Sequence, residues 1–398
     1  MRDKTLYAAG VDAGSDWTRV VVLALERGRV RLLGYAESRS EGWLESRIAD
    51  AKGVAESIRR AVHEAELRAQ TPILSAVLGA GGVTIGCAAG RGGYEGGYRR
   101  ELGQGDVNLV VERASRVQFG EDQMLLHLCL RDFSLDGRGG LRDPRGRTGA
   151  HLEAFVNLIT FSSQEHDALV GAANQAGLAV EETVFEPMAA AYACLRSEQR
   201  RGGVAVLDIG AESADLAVYQ GDALLLASSL PLGGVRFTRD VARGLGINLE
   251  DAEAVKVQHG CALRGLSGDN SLIEVPSPPG RKPREIPRSE LTFILEARAV
   301  QLFRRVRREL SRAGLQDGLM GGIVLGGGMA RLNGMCDVAE LLLNCQANWA
   351  LPAGVQGWPP ALVDPAWSVA AGLAMYAARL KQRQLERPKR GLLSRVIG

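Results

Sequence analysis

A chain of 398 residues that is 46% apolar has enough hydrophobic sequence to bury the cores of two or more domains. Its formal net charge of +2 excludes a global electrostatic bias toward nucleic acid. Six cysteines (87, 129, 194, 261, 336 and 345) form no C-x-x-C pair and five histidines show no zinc spacing, so the cysteines read as small buried hydrophobes in a reducing compartment.

In chain order, residues 6–36 alternate apolar runs with turns and predict strands joined at ERG. Residues 48–69 predict a helix, with Ile48, Val54, Ile58, Ala61, Val62 and Ala65 at helical spacing. TPILSAVLGAGGVTIG returns to strand. Residues 90–150 are rich in glycine and arginine, with a helix near 106–116 and an apolar run, QMLLHLCL. HLEAFVNLITFS reads as a buried strand. SSQEHDALVGAANQAGL reads as a helix with a serine cap and a glycine stop, and EPMAAAYACLRSEQ as a helix with proline in its first turn. Strands over 203–232 precede a helix at 234–245. Pro276, Pro278, Pro279, Pro283 and Pro287 mark a loop-rich insert with room for short edge strands. A helix over 289–312 stops at Gly314, GGIVLGGGMARLNGM reads as strand, glycine turn and helix, and DPAWSVAAGLAMYAARLKQ is the last long helix. MRDKTLYAAGVDAG has no charged-then-apolar leader and no run of 18 apolar residues occurs. The expectation is a cytosolic protein unless something attaches it to a membrane from outside.

One pattern occurs twice. AAGVDAGSDWTRVVVLAL (8–25) and VAVLDIGAESADLAVY (204–219) each place Asp-x-Gly in a turn between two apolar runs. Such a turn exposes backbone N–H groups that can bind an anion, and its Asp can hold Mg²⁺ directly or through water. Singly, each is also an ordinary hairpin turn. Together they imply an internal duplication of α/β units, with two tips that could clamp a polyphosphate from both sides. A third glycine cluster, Gly326–Gly328, follows a strand and opens a helix, which lets the backbone approach a ring or a phosphate.

This set resembles the actin-like ATPase superfamily: an α/β fold with two duplicated lobes around a nucleotide cleft. By that resemblance the ligand is ATP with Mg²⁺. Asp12, Gly14, Ser15 and Asp16 correspond to the first phosphate loop, and Asp208, Gly210, Ala211 and Ser213 to the second. Asp12 and Asp208 would hold the metal. Glu186, in Glu186–Pro187, would orient the attacking water, with Asp208 as its catalytic companion. Gly326, Gly327, Gly328 and Met329 resemble the adenosine motif, and Asp364 to Ala371 the second connecting segment. Glu253 and Lys256 match positions that hold adenine and ribose, although by spacing alone they read as an exposed (i, i+3) ion pair.

Longer segments resemble one branch, the FtsA family of bacterial cell-division proteins. GLRDPRGRTGAHLEAFVNLIT (140–160), PLGGVRFTRDVARGLGINLEDAEAVKVQHGCA (231–262) and ELTFILEARAVQLFRRVRREL (290–310) carry it, and it spans about residues 6–380. It implies subdomain 1A over 1–83, an inserted 1C over 84–162, and 1A again over 163–202. It then implies 2A over 203–245, 2B over 246–319, 2A over 320–364, a 1A helix over 365–383, and a linker with a tail over 384–398. Two departures stand out. Relatives usually carry glycine where this chain has Ala211 and Glu212, and a carboxylate beside phosphates repels them by about 1–4 kcal/mol, depending on local dielectric. GRGGYEGGYRRELGQG (90–105) is more glycine-rich than a 1C segment is expected to be.

The family resemblance further implies a polymer built head to tail, binding of the C-terminal peptide of the tubulin-like FtsZ, contact with other division proteins, and no nucleic-acid partner. Arg298 and Arg305 on the 289–312 helix are the candidate peptide contacts; a run of basic residues there otherwise reads as a solvated face. At the C-terminus, Leu392, Leu393, Val396 and Ile397 form an apolar stripe flanked by Lys389, Arg390 and Arg395, suited to an anionic membrane surface. The bland alternative is a frayed tail. The location implied is peripheral, on the cytoplasmic side of the inner membrane. Hydrolysis is expected to be slow and to serve switching. A related scaffold, the actin-like cytoplasmic protein of type IV pilus assembly, is the alternative. A small-molecule kinase needs an Asp base facing the γ-phosphate, and no residue here suits that role.

Overall fold

The computed structural model describes residues 5–26, 28–266, 271–277 and 282–386. The apolar runs near the N-terminus form an antiparallel meander of β1 (Leu6–Ala13), β2 (Trp17–Glu26) and β3 (Arg29–Arg39), with Leu6 opposite Leu25 and Ala13 opposite Thr18. Val20 through Ala24 are buried without alternation, because both faces of the sheet are covered. Helix α1 (Ala51–Ala69) covers one face; Asp50 caps it by accepting the Lys52 amide at 3.0 Å, and Val54, Ile58, Ala61 and Ala65 point inward. β4 (Ser75–Ala80) then joins β1 in parallel.

The inserted unit follows: β5 (Gly86–Glu101), α2 (Gln104–Ala114), β6 (Gln123–Leu135), β7 (Arg138–Leu141) and β8 (Thr148–Ser162). Its sheet has the order β5-β8-β6-β7. The glycines of β5 have a packing cause. A Cβ at Gly90 would lie 2.0 Å from the Ala114 carbonyl oxygen, and one at Gly92 would lie 2.2 Å from the Ala114 nitrogen, so α2 rests directly on the strand backbone. The run QMLLHLCL lies within the 13-residue strand β6.

The chain returns to the first lobe through α3 (Ser163–Gln175), β9 (Ala179–Phe185) and α4 (Glu186–Cys194). The helix predicted through Gln199 breaks at Leu195, which is extended, and Gln199 Oε1 accepts the Arg196 amide at 3.0 Å to start a separate short helix. The sheet order is β9-β4-β1-β2-β3, with the two-residue strand Val355–Gln356 beyond β3.

The second lobe repeats this plan with β10 (Val204–Ile209), β11 (Ala214–Gln220), β12 (Ala223–Leu230), α5 (Gly234–Leu245), α6 (Leu249–His259), β13 (Leu272–Val275), β14 (Arg284–Pro287), α7 (Arg288–Arg312), β15 (Ile323–Gly326), α8 (Met335–Leu343) and β16 (Ala347–Trp349). Its main sheet has the order β12-β11-β10-β15-β16, the same meander followed by two parallel strands. The proline-rich insert contributes only the small hairpin β13–β14. Helix α9 (Ser368–Glu386) crosses back onto β1 and α4; a Cβ at Gly372 would meet the Ala189 carbonyl oxygen at 1.9 Å. One apolar cluster joins both lobes and the insert beneath the cleft, through Ile159, Phe161, Phe185, Val206, Ala217, Leu224 and Leu373. Among the described residues no helix is long and apolar enough to cross a membrane.

Candidate functional site

The β1–β2 and β10–β11 turns open onto one cleft of about 1070 Å³ between the lobes. Asp12, Gly14, Ser15, Asp16, Asp208, Gly210, Ala211 and Ser213 all line it. The second turn is braced from behind by α5. Gly234 and Val235, at the start of that helix, donate to the carbonyls of Gly210 (3.0 Å) and Ala211 (2.7 Å), and Gly210 donates to Ser213 O at 2.9 Å. A Cβ at Gly233 would sit 2.5 Å from Ala211 and Glu212 backbone atoms, so glycine is what lets the helix start so close. With the turn's carbonyls engaged by the helix, its amides at 211 and 212 donate to no protein acceptor among the described residues. This is the geometry of a backbone anion nest.

Four carboxylates converge at the floor: Asp12, Glu186, Asp208 and Asp215. Desolvation raises Asp12 to about 6, with Arg19 pulling the other way. Desolvation also raises Asp215 to about 6, offset in part by hydrogen bonds that include the Gly82 amide at 3.0 Å. Glu186 and Asp208 rise well above the carboxylate range, first through desolvation and then through repulsion, from Asp12, Asp215 and Asp208 on Glu186 and from Asp12 and Asp215 on Asp208. Asp208 Oδ1 and Asp215 Oδ1 are buried without a hydrogen-bond partner among the described residues. Such orphaned oxygens suit a cation or ordered water that the protein itself does not supply. Among the described residues no three His, Cys, Asp or Glu side chains form a self-sufficient metal cluster. Mg²⁺ takes one or two carboxylates and completes its shell with phosphate and water, and the orphaned oxygens are of the type it binds.

The duplication explains a residue that sequence reading passed over. In the first hairpin Asp12 lies opposite Arg19; in the second, Asp208 lies opposite Asp215. Position for position, the first tip carries a carboxylate and a guanidinium, the second two carboxylates. Arg19 is held by Glu37 at 3.0 Å and sits between Trp17 and Trp367, 6.0 and 5.7 Å from their ring centroids. The loop Gly79–Gly82 was also missed. A Cβ at Gly81 would come within 2.3 Å of Glu186 Oε2 and 2.7 Å of Asp215 Oδ2, so the loop passes between the two carboxylates. The near-palindrome D-IGAESA-D was the available signal for Asp215; the glycine loop had none beyond its composition.

At the other end of the cleft, Glu253 and Lys256 are only half an exposed pair: the Glu253 side chain is 43% exposed and Lys256 is buried. Lys256 is 6% exposed, and its Nζ reaches Glu253 (2.7 Å), Thr238 Oγ1 (2.9 Å) and Gly234 O (3.3 Å). Gly327, Gly328 and Met329 line the cleft beside them. Gly326 is set behind it, paired with Asp208 at the end of β15. Asp16 stands at the rim, paired with Arg39, which stacks over Trp17 at 4.4 Å. Glu212 also lines the cleft and has no ion pair among the described residues. On α7, Arg298 turns inward onto Asp240 at 2.6 Å, Arg305 is half-buried, and Arg304 and Arg308 are exposed. The tail residues Leu392, Leu393, Arg395, Val396 and Ile397 lie outside the described residues.

Solved structures share this architecture. A chain of the PilM-PilN type IV pilus biogenesis complex matches with a TM-score of 0.66 at 19% identity, covering 93% of this chain and 98% of that one. MreB5 of Spiroplasma citri bound to ADP matches with a TM-score of 0.58 at 14% identity, covering 96% and 99%. Twin lobes of like topology around a cleft, with a sheet inserted in the first, define an actin-like ATPase fold. A family model for the cell division protein FtsA matches residues 205–372, and a model for the SHS2 domain inserted in FtsA matches residues 90–160. Cell division protein FtsA of Escherichia coli (strain K12) is 33% identical over 359 residues, covering 88% of this chain and 85% of the relative. The chain belongs to the FtsA family of cell-division proteins.

Proposed function

We propose that this protein binds ATP with Mg²⁺ between its lobes, polymerises head to tail, and tethers FtsZ filaments to the inner face of the cytoplasmic membrane. The observation that carries the nucleotide reading is the pair of hairpin tips on one cleft, with unsatisfied amides and orphaned carboxylate oxygens between them. The tip amides hold phosphate oxygens. Asp12 and Asp208 would hold Mg²⁺, which would supply charge to offset the phosphates and polarise the terminal phosphoryl group. Glu186 orients the water. Lys256 and Glu253, fixed on each other and on Thr238, present a polar edge to the nucleoside, and Met329 an apolar one. Glu212 weakens affinity through its charge at the rim.

The exposed face of α7 supports the peptide reading. Phe293 is exposed there with the Arg264 guanidinium 5.6 Å from its ring, and Arg304 and Arg308 lie further along. A cationic face with one aromatic suits a short peptide of acidic and apolar residues. Arg298, held inward by Asp240, supports the helix rather than touching the peptide. The basic, apolar stretch at 389–398 is the membrane contact, weak singly and firm when a filament presents many copies.

Sedimentation with anionic vesicles tests the whole reading, using the full chain and a chain lacking 389–398, each with and without MgATP and a fluorescent FtsZ tail peptide. The full chain should carry peptide into the pellet, more so with MgATP. Peptide that stays in the supernatant refutes tethering, and equal pelleting of the shortened chain refutes the membrane role of the tail. The likeness to a pilus-assembly complex at 19% identity concerns the fold alone, and the 33% identity to a division protein favours the FtsA reading.

A further inference from the structure

Among the described residues β9 is the outermost strand of the first sheet, so amides on its outer side have no ladder partner there. One of them belongs to Phe185, whose side chain is fully buried and which immediately precedes Glu186. Left unpaired, such a donor is costly. Phe185 is also the N-cap of α4 and gives that helix no side-chain cap.

The partner comes from the inserted sheet. His127 Nε2, on β6, accepts the Phe185 N–H at 3.0 Å. An imidazole nitrogen accepts only when it carries no proton. Desolvation holds His127 down at about 4, which keeps the ring neutral at physiological pH. The bond has a task. The loop at Gly81 lies against Glu186 Oε2 and leaves that side chain little lateral room, and the Glu186 backbone follows directly on the Phe185 amide. A side chain confined in this way is aimed by its backbone, so holding the Phe185 amide fixes where Glu186 points.

We propose that His127 is a positioning residue for Glu186, holding from the inserted sheet the backbone that aims this carboxylate at the cleft. The inference rests on the nucleotide reading of that cleft. The same sheet also grips the second lobe, where Asn157 Nδ2 donates to the carbonyls of Leu224 (2.7 Å) and Leu225 (3.0 Å) on β12. The insert thus spans the outer strands of both lobes, and a shift of the insert against either lobe reaches Glu186 through His127.

The test uses the full chain with His127→Leu, His127→Gln and His127→Asn, and Glu186→Gln as reference. Leucine fills the space without an acceptor. Glutamine places a carbonyl oxygen close to the Nε2 position, and asparagine falls short of it. Single-turnover phosphate release, MgATP affinity by titration with a fluorescent analogue, and hydrogen exchange over residues 183–190 are the readouts. His127→Leu should slow turnover about 10- to 100-fold, as misplacement of a reacting group does. Its MgATP affinity should stay near wild type, its exchange at 183–190 should rise, and His127→Gln should restore both turnover and protection. A purely structural role would lower thermal stability without separating turnover from affinity.

If His127→Leu turns over at the wild-type rate while Glu186→Gln is slow, the inference falls and the cleft reading stands. If His127→Leu does not fold, equal turnover by the Gln and Asn variants overturns it. A wild-type chain that binds MgATP without turnover also overturns it, since Glu186 then has no step to serve. A wild-type chain that binds no MgATP refutes the cleft reading itself.

Discussion

Asp208→Asn should make the nucleotide-free protein more stable while abolishing its response to MgATP. Without nucleotide, Asp208 is a buried carboxyl group beside Asp12 and Asp215, and its Oδ1 has no hydrogen-bond partner among the described residues. The magnitude can be scaled from its neighbours. Asp12 and Asp215 rise from 3.8 to about 6, and two pKa units correspond to about 3 kcal/mol for each group held ionised. Asp208 is also raised well above its ordinary value, first by desolvation and then by Asp12 and Asp215, with Arg19 pulling the other way. Coupling within the cluster reduces what one substitution recovers, so about 2–4 kcal/mol is expected well above neutral pH. The sign follows from linkage. Each folded pKa lies above its unfolded value, so the favourable state is complete below about pH 4 and is lost as the pH rises through 6. The gain from Asp208→Asn should therefore be absent below about pH 3, roughly half developed at pH 5 and complete at pH 8. Thermal unfolding at pH 5 and pH 8, with and without MgATP, measures it; the midpoint at pH 8 should rise by several degrees. A variant no more stable than wild type at pH 8 without nucleotide would show that the four carboxylates do not repel one another as described.

Gly81→Ala should push Glu186 and Asp215 apart, since the new Cβ would lie 2.3 Å from one and 2.7 Å from the other. Both contacts are side-chain ends, so phosphate release should fall by about 10-fold or more while the unfolding midpoint moves little. Gly92→Ala differs, because its Cβ meets backbone atoms of Ala114 and Val110 at 2.2 and 2.3 Å. It should cost about 1–3 kcal/mol or more and expose α2 to limited proteolysis, with nucleotide affinity unchanged. On α7, Arg304→Glu with Arg308→Glu should weaken FtsZ peptide binding, most clearly at low salt, without loss of stability. Arg298→Ala should do the reverse, lowering stability by about 1 kcal/mol through the lost Asp240 pair, with peptide binding retained.

Much of the fold was legible because its elements are locally coded. The helix predicted over 234–245 has those bounds, the one over 289–312 begins one residue earlier, and both hairpins appear where Asp-x-Gly interrupts apolar runs. The glycines of 90–105 were less readable, since the need for Gly90 and Gly92 comes from α2 lying across β5. Lys256 shows the same limit. Its (i, i+3) spacing to Glu253 fits an exposed pair, and only the packing of α6 against α5 buries it under Thr238 and Gly234.

Sequence alone determined the repeated strand–turn–strand units and the residues at their tips, because hydrophobic period and turn chemistry act between near neighbours. Tertiary structure alone decided that four carboxylates from separate segments share one floor, that Arg298 faces inward, and that a histidine of the insert holds the amide before Glu186. Those contacts join residues from tens to about two hundred positions apart, and the cost of burying charges together is set by the dielectric of the folded interior.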